Sequence, residues 1–256
     1  MLLYRQFDPI LNGGEKVDAI VISGGRGFRL GSLTRRYNKG AIRFQGIPVI
    51  ARIVDNLCRI SDIEKIHVVT GHQSKSIECV LGNLPPAQNS RIILTRGPSE
   101  TIGMLQRIAL TIPIVRCDPG AFVMGIDSLI STRTMEHFVS RVIDQLKQGE
   151  NRITILCSTN IDPAPTHYRV YEVGNEVIRH LAPKDADAKC TLRSVGVRYL
   201  PGETLRRIRK DAPRRYGENI SPYISYLMAQ GARVHSITTS ERWVHIGYPR
   251  DFNAKP

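Results

Sequence analysis

"VDAIVISGGRGFRL", residues 17–30, places a short apolar run directly before a glycine-rich turn. Residues 19–22 have the length and partial β-branching of a strand that is buried on both faces. Gly24, Gly25 and Gly27 follow this strand. They allow positive φ and a close approach of the backbone to a ligand, so that successive N–H groups can point at phosphate oxygens. The stretch therefore predicts a phosphate-binding loop after a buried strand.

Two basic side chains strengthen this prediction. Arg29 offers a planar fork for phosphate, and Lys39 offers a compact point charge ten residues further on. The spacing matches neither a Walker loop nor a dinucleotide fingerprint, because no Gly-Lys-Ser/Thr ending follows and Leu30 stands where the fingerprint needs a third small residue. A strand-to-helix turn whose glycines only satisfy backbone geometry remains the alternative.

Length and composition indicate an ordinary globular protein. The chain has 256 residues, of which 41% are hydrophobic and 23% are charged, and no apolar run approaches the ~20 residues needed to cross a bilayer. The first residues lack the apolar stretch of a secretory signal, so we expect a cytoplasmic protein without membrane association. The five cysteines are odd in number and form no CxxC pair, which favours reduced thiols over a disulfide framework or zinc site.

The formal net charge of +13 raises the question of an anionic partner. The two dense basic clusters are residues 34–39 and 205–215, and the second has few aromatic residues that could stack on bases. The composition therefore favours a solvated basic face, or steering of small phosphorylated substrates, over binding of nucleic acid. The oligomeric state is left open, with a homo-oligomer among the alternatives.

Alternating strand and helix patterns follow the glycine loop. Strand patterns over residues 65–72 and 121–127 and helix patterns over 47–60 and 132–148 predict right-handed crossovers. Beyond residue 153 the strand patterns become short and closely spaced. We therefore expect an α/β fold with a Rossmann-like, mainly parallel sheet flanked by helices, and with a smaller mixed β elaboration in the C-terminal half.

The same patterns suggest how the chain is divided. Residues 1–16 are expected to form an N-terminal arm, and residues 17–256 a single domain. Its first half, 17–152, would bind a nucleotide, and its second half, 153–256, would bind the other substrate. In such sheets the site lies at the carboxyl ends of the strands, where the glycine loop and Asp127 both fall.

Several motifs occur in an order that carries a family resemblance. These are "SGGRGFRL", "LTRRYNKGAIRFQGIPVI", "TIGMLQRIAL", "FVMGIDSLI", "YRVYEVGNEVIRHLAPK", "SVGVRYL" and "WVHIGYPRDF". Together they resemble the sugar-phosphate nucleotidyltransferase family, the NDP-sugar pyrophosphorylases, over residues 17–252. The resemblance implies an enzyme of this transferase class that joins an NTP to a sugar 1-phosphate, with NDP-sugar and pyrophosphate as products.

The resemblance also implies roles in the nucleotide half. Ser23, Gly24, Gly25, Gly27 and Arg29 match the triphosphate loop. In the same way, the resemblance places Lys39 on the phosphates, Gly103 in the turn near the nucleoside, and Asp127 on Mg²⁺. In this reading Arg29, Lys39 and Asp127 are the catalytic residues.

In the second half the resemblance assigns the sugar phosphate to Lys184 and places Gly196 in the turn beside the sugar. Pro183 and Asp185 depart from the family's Glu-Lys-Pro element around Lys184. The sharpest departure is His245, which stands where the family has a second metal-binding aspartate. Because Mg²⁺ prefers oxygen ligands, an imidazole there would favour a softer ion such as Mn²⁺. His245 could instead bind phosphate as an imidazolium, or mark a loss of activity.

Three alternatives to the sugar-phosphate enzyme stay open. His245 and the altered "TIGML" turn motivate a non-catalytic nucleotide or sugar-nucleotide binder on the same fold. A cytidylyltransferase with another phosphate or phosphonate acceptor stays within the enzyme class. The basic cluster at 205–215 motivates a nucleic-acid-binding protein.

Overall fold

The structure is a computed structural model that describes residues 16–99, 102–160, 168–182, 185, 189–215 and 217–253. The expected N-terminal arm and Lys184 lie outside the described residues, apart from Lys16. None of the helices in the described ranges has the length and hydropathy to cross a bilayer.

The described residues form strands and helices in alternation through the N-terminal half. The strands are β1 (Val17–Ser23), β2 (Arg43–Phe44), β3 (Ile47–Pro48), β4 (Ile63–Thr70), β5 (Ile92–Arg96), β6 (Gly120–Gly125), β7 (Ser128–Leu129), β8 (Ile153–Ser158), β9 (Arg169–Val173), β10 (Glu176–Leu181), β11 (Leu192–Pro201), β12 (Val234–Thr239) and β13 (Val244–His245). The helices are α1 (Leu33–Arg36), α2 (Val49–Cys58), α3 (Ser74–Gly82), α4 (Pro86–Asn89), α5 (Met104–Thr111), α6 (Thr132–Lys147), α7 (Gly202–Asp211) and α8 (Ile220–Ala229).

Nine strands form one sheet in the order β5-β4-β1-β6-β11-β8-β12-β10-β9. β5, β4, β1 and β6 are parallel neighbours. β11 runs antiparallel to both β6 and β8, and β10 runs antiparallel to β12 and β9. A further pairing of β9 with the start of β11 closes the C-terminal strands into a ring. The predicted α/β architecture is confirmed, and the second half of the sheet is mixed.

Helices cover both faces of the sheet, because β1 is apolar on both. Val21 packs into a core shared with α2, α3 and α6, whereas Ile20 packs into a second core shared with α5, α7 and α8. Both side chains are fully buried. Burial of an aliphatic side chain of this size stabilises the fold by about 1.5–3 kcal/mol.

Most predicted element bounds agree with the structure to within a few residues. The helix predicted at 132–148 spans Thr132–Lys147, and it begins at a cap in which the Ser131 hydroxyl accepts the N–H of Thr134 at 3.0 Å. The basic cluster at 205–215 proves to lie largely on α7, an amphipathic helix. Leu205 and Ile208 are buried there, while most of the basic side chains face outward. The cluster is therefore the solvated face of a packed helix.

Candidate functional site

A cleft of about 450 Å³ opens at the carboxyl ends of β1 and β6. Its lining includes the predicted site residues Gly25, Gly27, Arg29, Lys39, Gly103 and Asp127. Of the described lining residues, three are cationic, Arg29, Lys39 and Arg107, and one, Asp127, is a carboxylate. The cleft is therefore suited to an anionic ligand.

The glycine loop is shaped by packing as much as by φ. Among the three loop glycines, Gly27 alone has positive φ, at 64°, and the Thr34 hydroxyl donates to its carbonyl at 3.1 Å. Gly24 has ordinary φ, but an added Cβ would lie 1.9 Å from Nη1 of Arg107. Of the three glycines that allow positive φ, Gly27 is thus the one that adopts it. Gly24 is glycine because a buried guanidinium packs against it, and Gly25 has open space around it.

Asn38 holds this loop in place. Its side-chain N–H group donates to the carbonyls of Ser23 and His72, both at 2.7 Å, and its Oδ1 accepts the Ser23 hydroxyl at 2.8 Å. Ser23 is fully buried, and its hydroxyl stabilises the loop through the hydrogen bond to Asn38. Its assignment to the nucleotide stays a prediction. Asn38 was not identified from the sequence, although its position beside Lys39 was a usable signal.

Lys39 and Asp127 meet at the centre of the cleft. Lys39 Nζ lies 3.4 Å from Asp127 Oδ2 and donates to the Ile246 carbonyl at 3.0 Å. The Lys39 side chain is 11% exposed and that of Asp127 is 34% exposed. Burial raises the pKa of the Asp127 carboxyl, but the neighbouring Lys39 and His245 outweigh this and hold the pKa well below its usual range. Asp127 is therefore ionised at neutral pH.

Asp127 does not cap the helix that follows it. Ser131 caps α6, and Asp127 instead connects to β13 through its own carbonyl, which accepts the N–H of Ile246 at 2.8 Å.

His245 is brought to the cleft by the pairing of β13 with β7, in which it lies opposite Ser128. Both ring nitrogens are buried. Burial lowers the pKa of His245, Lys39 and Arg29 lower it further, and Asp127 opposes them. A neutral imidazole is therefore favoured at neutral pH, which argues against the imidazolium reading.

Arg29 approaches the same C-terminal segment from the glycine loop. Its guanidinium carbon lies 5.3 Å from the centre of the Tyr248 ring. Gly247 leaves room for the His245 ring, because an added Cβ would lie 2.9 Å from its Nε2, whereas Nη1 of Arg29 would be in ordinary contact at 3.7 Å. Asp251 shapes the turn by accepting the N–H groups of Gly247 and Tyr248, both at 2.7 Å. Its carboxylate is thus engaged in the turn at the start of a short 3₁₀ helix.

Two further glycines are required by close packing. Gly103 precedes α5 at the cleft, and an added Cβ would lie 2.3 Å from the Glu218 carbonyl oxygen. Gly196 lies on β11 with φ of 92°, and an added Cβ would lie 2.9 Å from Oγ of Ser128. Whether they contact nucleoside and sugar stays a prediction. Of the predicted site residues, Lys184 is the one outside the described residues.

Sequence reasoning missed two buried arginines near the cleft. Arg107 lies on α5 between the buried residues Leu105 and Ile108, and its Nη1 donates to the Thr70 carbonyl at 3.0 Å. Arg198 lies within the apolar strand β11 and is 3% exposed. An arginine at an apolar position of a helix or strand was a signal that could have identified both.

The described side chains at the cleft could hold a metal ion if a bound substrate supplied further ligands. The described residues contain no group of three or more His, Cys, Asp or Glu side chains that could hold a metal. Asp127 and His245 supply one carboxylate and one neutral imidazole. Mg²⁺ is commonly held by one or two carboxylates together with substrate phosphates and water. The residues present therefore fit an ion that arrives with a phosphorylated ligand.

The fold and the cleft define an α/β protein with a cleft lined by basic side chains at the carboxyl edge of its sheet. The sequence model of the nucleotidyl transferase family matches residues 18–255, and the chain belongs to this family. It is also 24% identical over 239 residues to the bifunctional protein GlmU of Methanococcus maripaludis. That alignment covers 92% of this chain and 52% of GlmU, so the chain spans about half the length of this relative.

Solved structures show the same fold. The inositol-1-phosphate CTP transferase from T. maritima superposes with a TM-score of 0.77 at 19% identity, covering 94% of this chain and 93% of that one. A Bacillus anthracis protein assigned as a glucose-1-phosphate thymidylyltransferase, solved with sucrose, superposes with a TM-score of 0.75 at 18% identity, covering 92% of each chain. At these identities the likeness establishes the fold.

Proposed function

We propose that the chain is an enzyme that joins an NTP to a sugar 1-phosphate or a related phosphate monoester and releases pyrophosphate. The observation that carries the proposal is the cleft in which Arg29, Lys39 and the glycine loop surround Asp127. Family membership supports the transferase chemistry. We further infer that residues 17–152 form a Rossmann-like nucleotide-binding half and that residues 153–256 bind the acceptor.

The proposed reaction needs no general base. An oxygen of the ionised acceptor phosphate attacks the α-phosphorus, a new P–O bond forms, and the bond to the β-phosphate oxygen breaks in line. Pyrophosphate leaves with the electron pair. Because a phosphate monoester is already ionised near neutral pH, positioning two anions and stabilising charge on the phosphoryl oxygens supply most of the rate.

Each cleft residue has a part in this proposal. The N–H groups of the glycine loop and the guanidinium of Arg29 bind the triphosphate. Lys39 stabilises the charge that develops on the leaving pyrophosphate and, through its contact with Asp127, keeps that carboxylate ionised. Lys184 is proposed to bind the acceptor phosphate. Asp127, with His245, would hold Mg²⁺ or Mn²⁺, which neutralises phosphate charge when bound.

The acceptor and the base are open within this proposal. A related structure is an inositol-1-phosphate CTP transferase, so inositol phosphates belong in the acceptor panel beside sugar phosphates. A cytoplasmic location and the oligomeric state stay predictions.

Pyrophosphate release across four NTPs and a panel of sugar 1-phosphates and inositol 1-phosphate, with Mg²⁺ and then Mn²⁺, tests the proposal. We expect turnover with one NTP and one acceptor class. Measurable NTP binding without turnover in either metal would favour the non-catalytic binder. If the chain binds DNA or RNA with an affinity that depends steeply on salt and does not bind NTPs, the alternative of a nucleic-acid-binding protein would be favoured.

A further inference from the structure

Arg198 lies beside the cleft and is buried from it. It is 3% exposed, and it lies on β11, next to β6 on the side away from β1. Its Nη1 is 3.8 Å from Sδ of Met104, a residue that lines the cleft. Its Nη2 is 3.5 Å from Oγ of Ser221 at the start of α8. The guanidinium is therefore one side chain away from the cleft wall.

Among the described residues, no carboxylate forms a salt bridge with this guanidinium. Its two hydrogen-bond contacts are to a thioether and, at the limit of distance, to a hydroxyl. Its Nε is buried and has no hydrogen-bond partner within the described ranges. Burial lowers the pKa of Arg198 to about 10, with Asp127 opposing the shift, so the group stays charged at neutral pH. A buried cation without a paired anion is costly to the fold, which suggests that the anion comes from a ligand.

Two other buried polar side chains, on β10 and β11, each have an atom without a described hydrogen-bond partner. His180 on β10 is 2% exposed and Ser194 on β11 is 3% exposed. Nε2 of His180 and Oγ of Ser194 have no hydrogen-bond partner in the described part of the chain. Burial, followed by the charge of Arg198, lowers the pKa of His180 to about 3, so the imidazole is neutral. Strands β10 and β11 thus carry buried polar atoms that no described group satisfies.

We propose that Arg198 is a specificity-determining residue whose counter-ion is an anionic group of the acceptor substrate. The inference rests on the proposed transferase function. The order of the strands indicates which substrate Arg198 would contact. β6, which leads to Asp127, lies between β1 and β11. The glycine loop proposed to bind the triphosphate follows β1, so Arg198 on β11 lies on the opposite side of Asp127, where the acceptor would bind. Arg29 and Lys39 already serve the triphosphate side. Met104 is unbranched and flexible, so a change in its rotamer opens the guanidinium to the ligand.

The test compares Arg198→Met with Arg198→Lys and with Arg233→Met as the matched control. Arg233 lies just before β12, at the opposite edge of the sheet from the cleft, and pairs with Glu176 at 2.8 Å. Its substitution removes the same charge from the chain. For the acceptor that the wild type uses, we expect Arg198→Met to raise KM for the acceptor about tenfold or more, as for loss of a charge-assisted contact. KM for the NTP should stay within about twofold, and Arg198→Lys should be intermediate.

A measurement of thermal stability distinguishes binding of the acceptor by Arg198 from a purely structural role. Because Arg198→Met replaces a buried charge, which no described carboxylate pairs, with an apolar chain of similar length, its Tm without ligand should equal or exceed that of the wild type. A fall in Tm together with equal rises in KM for both substrates would overturn the proposal. An unchanged KM for the acceptor would overturn it as well.

A binding measurement distinguishes failure of this inference from failure of the proposed function. Inorganic phosphate is titrated calorimetrically into the wild type and Arg198→Met with saturating NTP and no metal, so that no turnover is required. Phosphate binding that the wild type shows and Arg198→Met loses supports the inference. Phosphate binding that NTP abolishes, or that Arg198→Met retains, overturns it.

The source of the anion is resolved by comparing glucose 1-phosphate with glucose 1,6-bisphosphate. If Arg198 pairs with the reacting phosphate, Arg198→Met weakens binding of both ligands equally. If it pairs with a second anionic group, the bisphosphate loses the greater part of its affinity. If Arg198→Met binds both ligands as tightly as the wild type does, Arg198 does not contact the acceptor and the proposal is overturned.

Discussion

Lys39 Nζ lies 3.4 Å from Asp127 Oδ2, although the two residues are 88 positions apart in the chain. The same ammonium donates to the carbonyl of Ile246 at 3.0 Å, across 207 positions. One side chain therefore joins the segment after the glycine loop, the end of β6 and the strand that carries His245. The paired charges of Lys39 and Asp127 at the centre of the cleft therefore depend on the packing of these three segments.

Lys39→Met should lower kcat/KM for the NTP by about 10²–10³, because it removes a cation that stabilises charge on the leaving group. Steady-state pyrophosphate release measures the effect. Lys147→Met, an exposed substitution at the end of α6, is the matched control and should leave kcat/KM unchanged. Activity of Lys39→Met within a few-fold of the wild type would contradict the role assigned to Lys39.

Gly24→Ala should destabilise the protein by about 1–3 kcal/mol, because the new Cβ would lie 1.9 Å from the buried Arg107 guanidinium. Gly25→Ala is the matched control. Its Cβ meets nothing within 4 Å, so the free energy of unfolding should change by less than about 0.5 kcal/mol. Urea denaturation of both variants gives the comparison, and equal stabilities would show that Arg107 moves aside at no cost.

His245→Asp should change metal preference, because a carboxylate replaces an imidazole beside Asp127 and Mg²⁺ favours oxygen ligands. We expect the Mg²⁺ concentration for half-maximal activity to fall about tenfold and the ratio of Mn²⁺-supported to Mg²⁺-supported activity to decrease. His245→Asn supplies an oxygen without the charge and should lie between the two. An unchanged metal ratio in His245→Asp would place His245 outside the metal site.

Asp18→Asn should reduce the loss of unfolding free energy that the wild type shows at acid pH. Asp18 is 2% exposed, and its Oδ2 lies 3.0 Å from Nε2 of His67 and accepts the Arg116 N–H at 3.1 Å. Burial raises the pKa of Asp18, but these two hydrogen bonds outweigh it, so the folded-state pKa lies below the ordinary value of 3.8. The ionised group therefore stabilises the fold above about pH 4, and this contribution is lost as pH falls through the folded-state pKa.

At pH 7 the Asp18→Asn variant should be less stable than the wild type by about 1–3 kcal/mol, because buried donors lose a charged acceptor. Urea denaturation between pH 2.5 and 7 measures both effects, with the exposed substitution Asp144→Asn as control. If wild type and Asp18→Asn lose stability in parallel below pH 4, then another carboxyl group controls the acid transition.

Local patterns were sufficient for the elements that flank the cleft. Residues 19–22 predicted a strand buried on both faces, and β1 packs Ile20 and Val21 into opposite cores. The 3.6-residue period likewise predicted α6. These predictions succeed because strand and helix periodicity are determined by neighbours in the chain. The packing reason for glycine at position 24 could not be predicted in this way, because it is a contact with Arg107, a residue on another element.

The sequence by itself determined the glycine loop, the order of the strands and helices, and the family motifs that mark Lys39 and Asp127. Only the tertiary structure decided that Lys39 lies against Asp127, that His245 is buried beside them with a lowered pKa, and that Arg198 lies behind Met104 without a salt bridge to any described residue. The physical reason is that charge effects depend on distance and burial. Distances between residues far apart in the chain are determined by how β6, β11 and β13 pack, which no local pattern contains.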